Sequence, residues 1–233
     1  TFTMNGGEIS GNTAEAGSGV YITQSSTFYL HKGVIKGNAA PENVSSGGWD
    51  GIINVELRPG SNSNTRSIFD TPVPMAASFG VTIPSSPDSW GGGVYNMGTF
   101  TMDGGEISDN TAGRGGAIYH ADGTCSITGG TISGNQNTFS GTGLYAREDF
   151  SIGGSAKITD GIYLVTGKKA LVTSALSNSI QIEGMEGTPT DGTVVAAGSD
   201  HTISDADFEK FSIKDTTWTL EKNTGSQICL KAP

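Results

Sequence analysis

The chain has 233 residues, 36 of them glycine, a formal net charge of −10 and only 15% charged residues. Glycine at about twice its usual share of ~7%, with Ser, Thr and Asn carrying most of the polarity, argues for many tight turns and against long helices. The acidic balance, with no Lys/Arg cluster beyond Lys168-Lys169, argues against a nucleic-acid partner. No apolar run reaches the ~18 residues of a membrane span.

The first element in chain order is the strand Thr1-Phe2-Thr3-Met4, which returns as Thr99-Phe100-Thr101-Met102. Variants stand at Thr27–Leu30, Thr124–Ile127 and Asp149–Ile152. Alternation places Phe and Met on one face and Thr on the other, as in a strand with one buried side. Because Thr1–Met4 matches an internal copy, the natural protein is expected to extend further toward its N-terminus, where any export signal would lie.

The second strand carries the clearest recurrence. Gly6-Gly7-Glu8-Ile9-Ser10-Gly11-Asn12 returns at 104–110 and again at 129–135, with weaker copies at 32–38 and 155–160. Ile9 to Ile35 is 26 residues, Ile107 to Ile132 is 25 and Ile132 to Ile158 is 26. The third strand is Gly-x-Gly-Val-Tyr, ending at Tyr21, Tyr95, Tyr119, Tyr145 and Tyr163. A unit of about 25 residues cannot bury its own apolar face, so copies must stack. The expected fold is all-β: a right-handed parallel β-helix, a solenoid of about 25-residue coils, over residues 1–163. In such a stack Asn12, Asn38, Asn110 and Asn135 form one structural ladder, closed by Asp160.

The period is interrupted within 41–90, where six of the eight prolines fall. Residues 51–57 read as one degenerate strand pair and residues 59–90 as a loop excursion. The excursion is stiffened by proline and rich in apolar residues, so Phe69, Phe79 and Trp90 are the candidate ligand-binding anchors. Packing of these aromatics on the solenoid flank is the competing reading. After Tyr163 the period stops. Residues 164–233 are expected to form a C-terminal β-rich cap, with strands at 170–173, 179–183, 193–197 and 217–220. Ser204-Asp205-Ala206-Asp207 has the pattern of a capping box opening a short helix.

Gly115-Gly116-Ala117-Ile118 and Ile132-Ser133-Gly134-Asn135 resemble the paired repeat motifs of polymorphic outer-membrane proteins. The longer pattern over 98–112 is similar to large bacterial surface proteins with right-handed β-helix repeats. The stretch from Gly161 through Lys210–Ile213 to Trp218–Leu220 looks like the unit that follows such repeats. This resemblance implies an extracellular, cell-surface or secreted location. No catalytic motif comes with these families.

Direct searches for chemistry give little. His31, His120 and His201 share no metal spacing, and neither a nucleophile elbow nor a phosphate loop is present. Glu8 and Glu106 share a column with Val34, Thr131 and Lys157, so no acidic ladder forms. Asp103, Glu106 and Asp109 crowd one copy and could hold calcium weakly, although a solvated acidic edge is the expectation. Cys125 and Cys229 read as buried free thiols. The expectation is therefore a non-catalytic extracellular module of a bacterial surface protein, adhesin-like or a stalk. It would need no cofactor or metal, and its partner would be a host glycan or a matrix or cell-surface protein. The alternative is a carbohydrate-active β-helix enzyme, a polysaccharide lyase or glycoside hydrolase, which would need converging acids beside a basic or aromatic platform.

Overall fold

The computed structural model describes residues 1–40, the backbone of 66–67 and residues 89–233. Phe69, Phe79 and the strand pair expected at 51–57 lie outside the described residues. The described chain is mostly strand, with one helix of four residues at Asp205–Phe208. Its strands form one large mixed sheet and a separate two-stranded sheet.

Like pairs with like along this sheet. Strands Phe2–Ser10, Thr27–Lys36, Thr99–Ser108 and Thr124–Ser133 lie parallel, in that order. Their registers align Phe2 with Phe28 and Phe28 with Phe100. Ile9, Ile35, Ile107, Ile132 and Ile158 follow one another in the same way. The short strands Val20–Ile22, Val94–Asn96, Ile118–His120 and Leu144–Ala146 stack in parallel onto Lys157–Val165, matching Val20, Val94, Ile118, Leu144 and Ile162. These isoleucines, valines and leucines are all buried in one continuous core with Phe28, Phe100 and Phe150. Burial of such side chains supplies about 1.5–3 kcal/mol each. The Phe rings stack inside this core, with centroids 5.3 and 6.0 Å apart along Phe2, Phe28 and Phe100.

The structure departs from the sequence reading within the motif. In four copies the first two strands, expected as separate elements joined by a glycine turn, are one strand of nine or ten residues. In these the glycines bend the strand and shift its register without ending it, whereas Phe150–Gly154 and Lys157–Val165 stay separate. Gly130 shows why glycine is needed there: its φ is +82°, and a Cβ would stand 2.5 Å from Met102 Cε and 2.6 Å from the Gly104 carbonyl oxygen.

Strand pairing continues past residue 163, where the motif stops. Strand Lys157–Val165 runs across it, and parallel pairing continues beyond. Ala170–Leu176 lies between Phe150–Gly154 and Val194–Gly198, and Ile180–Glu186 lies between Lys157–Val165 and Phe211–Ile213. What changes after 163 is the motif; the core continues through Val172, Ile180, Ile182, Ala196 and Phe211. Pairing turns antiparallel only at the end, where Ile228–Lys231 joins Val194–Gly198 and Thr219–Lys222. The capping box is present: Ser204 Oγ accepts from the Asp207 amide, and the Asp207 carboxylate accepts from the Ser204 amide.

Ile132 is fully buried at the centre of its column. Ile132→Asp should therefore lower stability by about 3–5 kcal/mol, the scale of an uncompensated buried charge. Denaturant unfolding should show a much lower midpoint, and a variant that unfolds like the parent would refute the column.

Candidate functional site on the tyrosine face

Two side-chain columns run along the stacked strands. The first is the asparagine column. Asn38 Oδ1 accepts from both the backbone N–H and the side-chain amide of Asn12, at 3.0 and 2.9 Å. Asn110 Oδ1 does the same for Asn38, and Asn135 Oδ1 for Asn110. Each side-chain amide also reaches back to a carbonyl: Asn38 to Ile9, Asn110 to Ile35 and Asn135 to Ile107. Asp160 ends the series, accepting from the N–H groups of Gly134 and Asn135 and from Asn135 Nδ2. These side chains sit where the backbone leaves the ladder, and they satisfy donors and acceptors that would otherwise be buried without partners.

The second column consists of Tyr21, Tyr95, Tyr119, Tyr145 and Tyr163. Their rings stack with centroids 4.8, 5.4, 5.0 and 5.5 Å apart and interplanar angles of 18° or less. The column ends at Gly184, where a Cβ would come within 3.0 Å of the Tyr163 ring. Because the rings cover one another, little ring face remains for a ligand; Tyr119 and Tyr145 are buried, and Tyr21, Tyr95 and Tyr163 are half-buried. Burial, helped by neighbouring Tyr21 and Tyr119, pushes the Tyr95 phenol up to about 12. The Tyr145 phenol is also raised, first by burial and then by Glu186, whose carboxylate accepts a hydrogen bond from it. The hydroxyls are therefore neutral donors at physiological pH.

Charged groups gather around this column. Arg147 lies beside Tyr119. The Arg114 guanidinium stands 5.4 Å from the centroid of the Phe139 ring. Glu183 accepts from the Thr142 N–H at 2.9 Å, and Lys214 Nζ is 3.7 Å from its other oxygen. Trp90, singled out in the sequence as an anchor by its place in the excursion, is half-buried against this same column. Its ring lies 6.4 Å from Tyr95 and 6.1 Å from Tyr119, tilted by 49° and 47°.

The sequence points to Trp90 and the tyrosine motif but gives no sign of Arg114, Arg147, Glu183 and Glu186 as members of this site. The two arginines stand next to the Gly115–Tyr119 and Leu144–Ala146 copies, and that adjacency is the one signal available for them. The two glutamates lie beyond the last motif copy, and only the pairing of Ile180–Glu186 with Lys157–Val165 brings them to this face. Two of the acidic residues weighed in the sequence are paired: Asp103 with His31 at 2.6 Å and Glu8 with Lys36 at 3.0 Å. Cys125 and Cys229 are buried free thiols, and burial pushes Cys125 up to about 12.

Among the described residues no group of His, Cys, Asp and Glu is arranged to hold a metal ion, and no helix is long and apolar enough to cross a membrane. Comparison with family models, curated proteins and solved structures finds no match to this chain.

Asn110 is fully buried and serves both neighbours. Asn110→Ala should cost about 2–6 kcal/mol, since it strands the Asn38 N–H and the Ile35 carbonyl at ~1–3 kcal/mol each. Asn12→Ala, at the half-buried end, should cost under about 1 kcal/mol. Equal losses in thermal unfolding would refute the relay.

Stability should fall in two separate acid windows. His120 is fully buried in the column shared with Asn96 and Ala146. Asn96 Oδ1 accepts from the Gly98 N–H, so Asn96 Nδ2 donates to His120 Nδ1 and the His120 proton sits on Nε2, a buried atom without a partner. Burial holds this imidazole below its ordinary 6.5. The unfolded chain takes up a proton that the folded chain refuses, so stability declines as pH falls through 6.5. Asp207 is buried, which alone would raise it. Hydrogen bonds from Ser204, the Leu176 amide and His201 outweigh that and hold it well below 3.8. Its contribution is present above 3.8 and lost below it. Denaturation across pH 8 to 2.5 should show both declines. His120→Leu should flatten the upper one and Asp207→Asn the lower one.

Proposed function

We propose that the chain winds as a right-handed parallel β-helix of about 25-residue coils and serves as a non-catalytic, extracellular module of a bacterial cell-surface protein, adhesin-like or a stalk. The observation that carries this reading is the unbroken like-on-like register from Asn12 to Asp160 and from Tyr21 to Tyr163. Two half-strands meeting at a glycine bend and a third short strand give each coil three sides. The handedness follows the usual sense of parallel crossovers. The antiparallel closure near the C-terminus suits the cap that such a stack needs.

A rod built this way presents a stiff, repetitive surface, which fits display or spacing better than turnover. Its partner, a host glycan or a matrix or cell-surface protein, would meet the half-buried Trp90 and the half-buried Tyr21, Tyr95 and Tyr163. The enzymatic alternative draws on one specific observation: Glu183 and Glu186 reach the face that also holds Arg114, Arg147 and the tyrosines. Against it, both carboxylates are already engaged, Glu183 by Thr142 and Lys214 and Glu186 by Tyr145.

A glycan and host-matrix binding array, run beside a polysaccharide-degradation screen, separates the two. The proposed reading expects captured ligand without product, and capture weakened about tenfold by Trp90→Ala, the scale of an aromatic anchor. Product formation that disappears in Glu183→Gln or Glu186→Gln would replace it with the enzyme.

A further inference from the structure

Arg147 is used differently from most cations of this acidic chain. Lys36, Lys168, Lys169, Lys214, Lys222 and Lys231 each pair with a carboxylate. Arg147 is exposed and meets tyrosines instead. Its guanidinium is within hydrogen-bonding reach of the Tyr119 hydroxyl and close to Tyr95 and Tyr145. Its backbone is held in place, since its N–H donates to the His120 carbonyl at 2.9 Å.

The protons of the neighbouring phenols decide what this arginine can bind. A guanidinium only donates, so the Tyr119 oxygen accepts from Arg147 and the Tyr119 proton is left to donate elsewhere. Three phenols of the column have protein acceptors. Tyr21 donates to Met97 Sδ at 3.4 Å, Tyr145 to the Glu186 carboxylate and Tyr163 to the Met185 carbonyl at 3.0 Å. Tyr95 and Tyr119 have no such acceptor among the described residues. Burial keeps both protonated. Their rings lie 5.4 Å apart and within 4° of parallel, a spacing at which one carboxylate can accept from both hydroxyls. Trp90 stands against the same two rings.

We propose that Arg147 and the hydroxyls of Tyr95 and Tyr119 form a subsite for the carboxylate of an acidic sugar, a uronic or sialic acid residue of a glycan, with Trp90 beside the sugar ring. The three groups offer donors only, and an ionised carboxylate only accepts. Its two oxygens match the planar fork of the guanidinium. A neutral sugar brings hydroxyl protons for which these groups hold no acceptor. The net charge of −10 gives the chain no general attraction for polyanions, so selectivity for an acid must be local. Arg147 is its charged member. The inference rests on the reading of the module as glycan-binding and names the class of glycan.

The test titrates the full chain calorimetrically with a hyaluronan tetrasaccharide, with sialyllactose, with the methyl esters of both and with lactose. At least one acid should bind about tenfold or more tightly than its own ester, the scale of a hydrogen bond to a charged group. The acid that binds names the source of the carboxylate. Arg147→Gln should abolish the preference for acid over ester while leaving affinity for the ester unchanged, and Arg147→Lys should keep part of it. A merely structural role for Arg147 would weaken acid and ester alike. Equal binding of acid and ester by the parent, a preference that survives Arg147→Gln, or no binding of either acid would overturn the proposal. Lactose bound as tightly as the acids would overturn it and leave the glycan-binding reading standing. Failure to capture any glycan on the array would overturn both.

Discussion

Every parallel strand in this protein must leave its ladder at a turn, and each turn exposes backbone donors to a nearly dry interior. The asparagine column meets that constraint. Each side-chain oxygen collects two donors from the copy before it, and each side-chain amide returns a bond to that same copy. The unit is therefore a link between copies, and no single copy is complete without the next. Ile, Phe and Val columns contribute most of the buried area, but they tolerate sliding because apolar contact is not directional. Hydrogen bonds of fixed geometry fix the register. Asp160 shows how the device stops: a carboxylate accepts more donors and offers none, which suits the last member of a chain that needs an acceptor.

The tyrosine column applies the same register to a different end. Rings brought about 5 Å apart by strand spacing have little choice but to stack, and stacking uses their faces. The stack is thereby used in packing, with Trp90 tilted against Tyr95 and Tyr119. The engaged state of Glu183 and Glu186 gives them a structural role on the same side.

Much of the core is legible in the sequence because the same residue recurs at the same motif position. Ile9 through Ile158 and Tyr21 through Tyr163 can be aligned directly, and parallel stacking in register makes aligned residues touch. The double glycines mislead because glycine marks both turns and bends, and only the backbone distinguishes a strand that ends from one that kinks. Residue 163 looks like a boundary because the motif stops there. The core beyond it is filled by Ala170, Val172, Ile180 and Phe211, which satisfy the same space with no shared pattern. Arg114, Arg147, Glu183 and Glu186 stand outside the motif, and their convergence is set by tertiary pairing alone.

The central claim is that strands far apart in sequence pair in parallel, in register, across the interruption between Lys36 and Thr99. Tyr29 and Thr101 are direct partners in that register, on the outward side. A Tyr29→Cys/Thr101→Cys variant tests this most directly, with Tyr29→Cys/Thr99→Cys as the off-register control. Mild oxidation of the folded protein should join the first pair quickly and the second slowly or not at all. Equal rates, or faster closure of the off-register pair, would contradict the account.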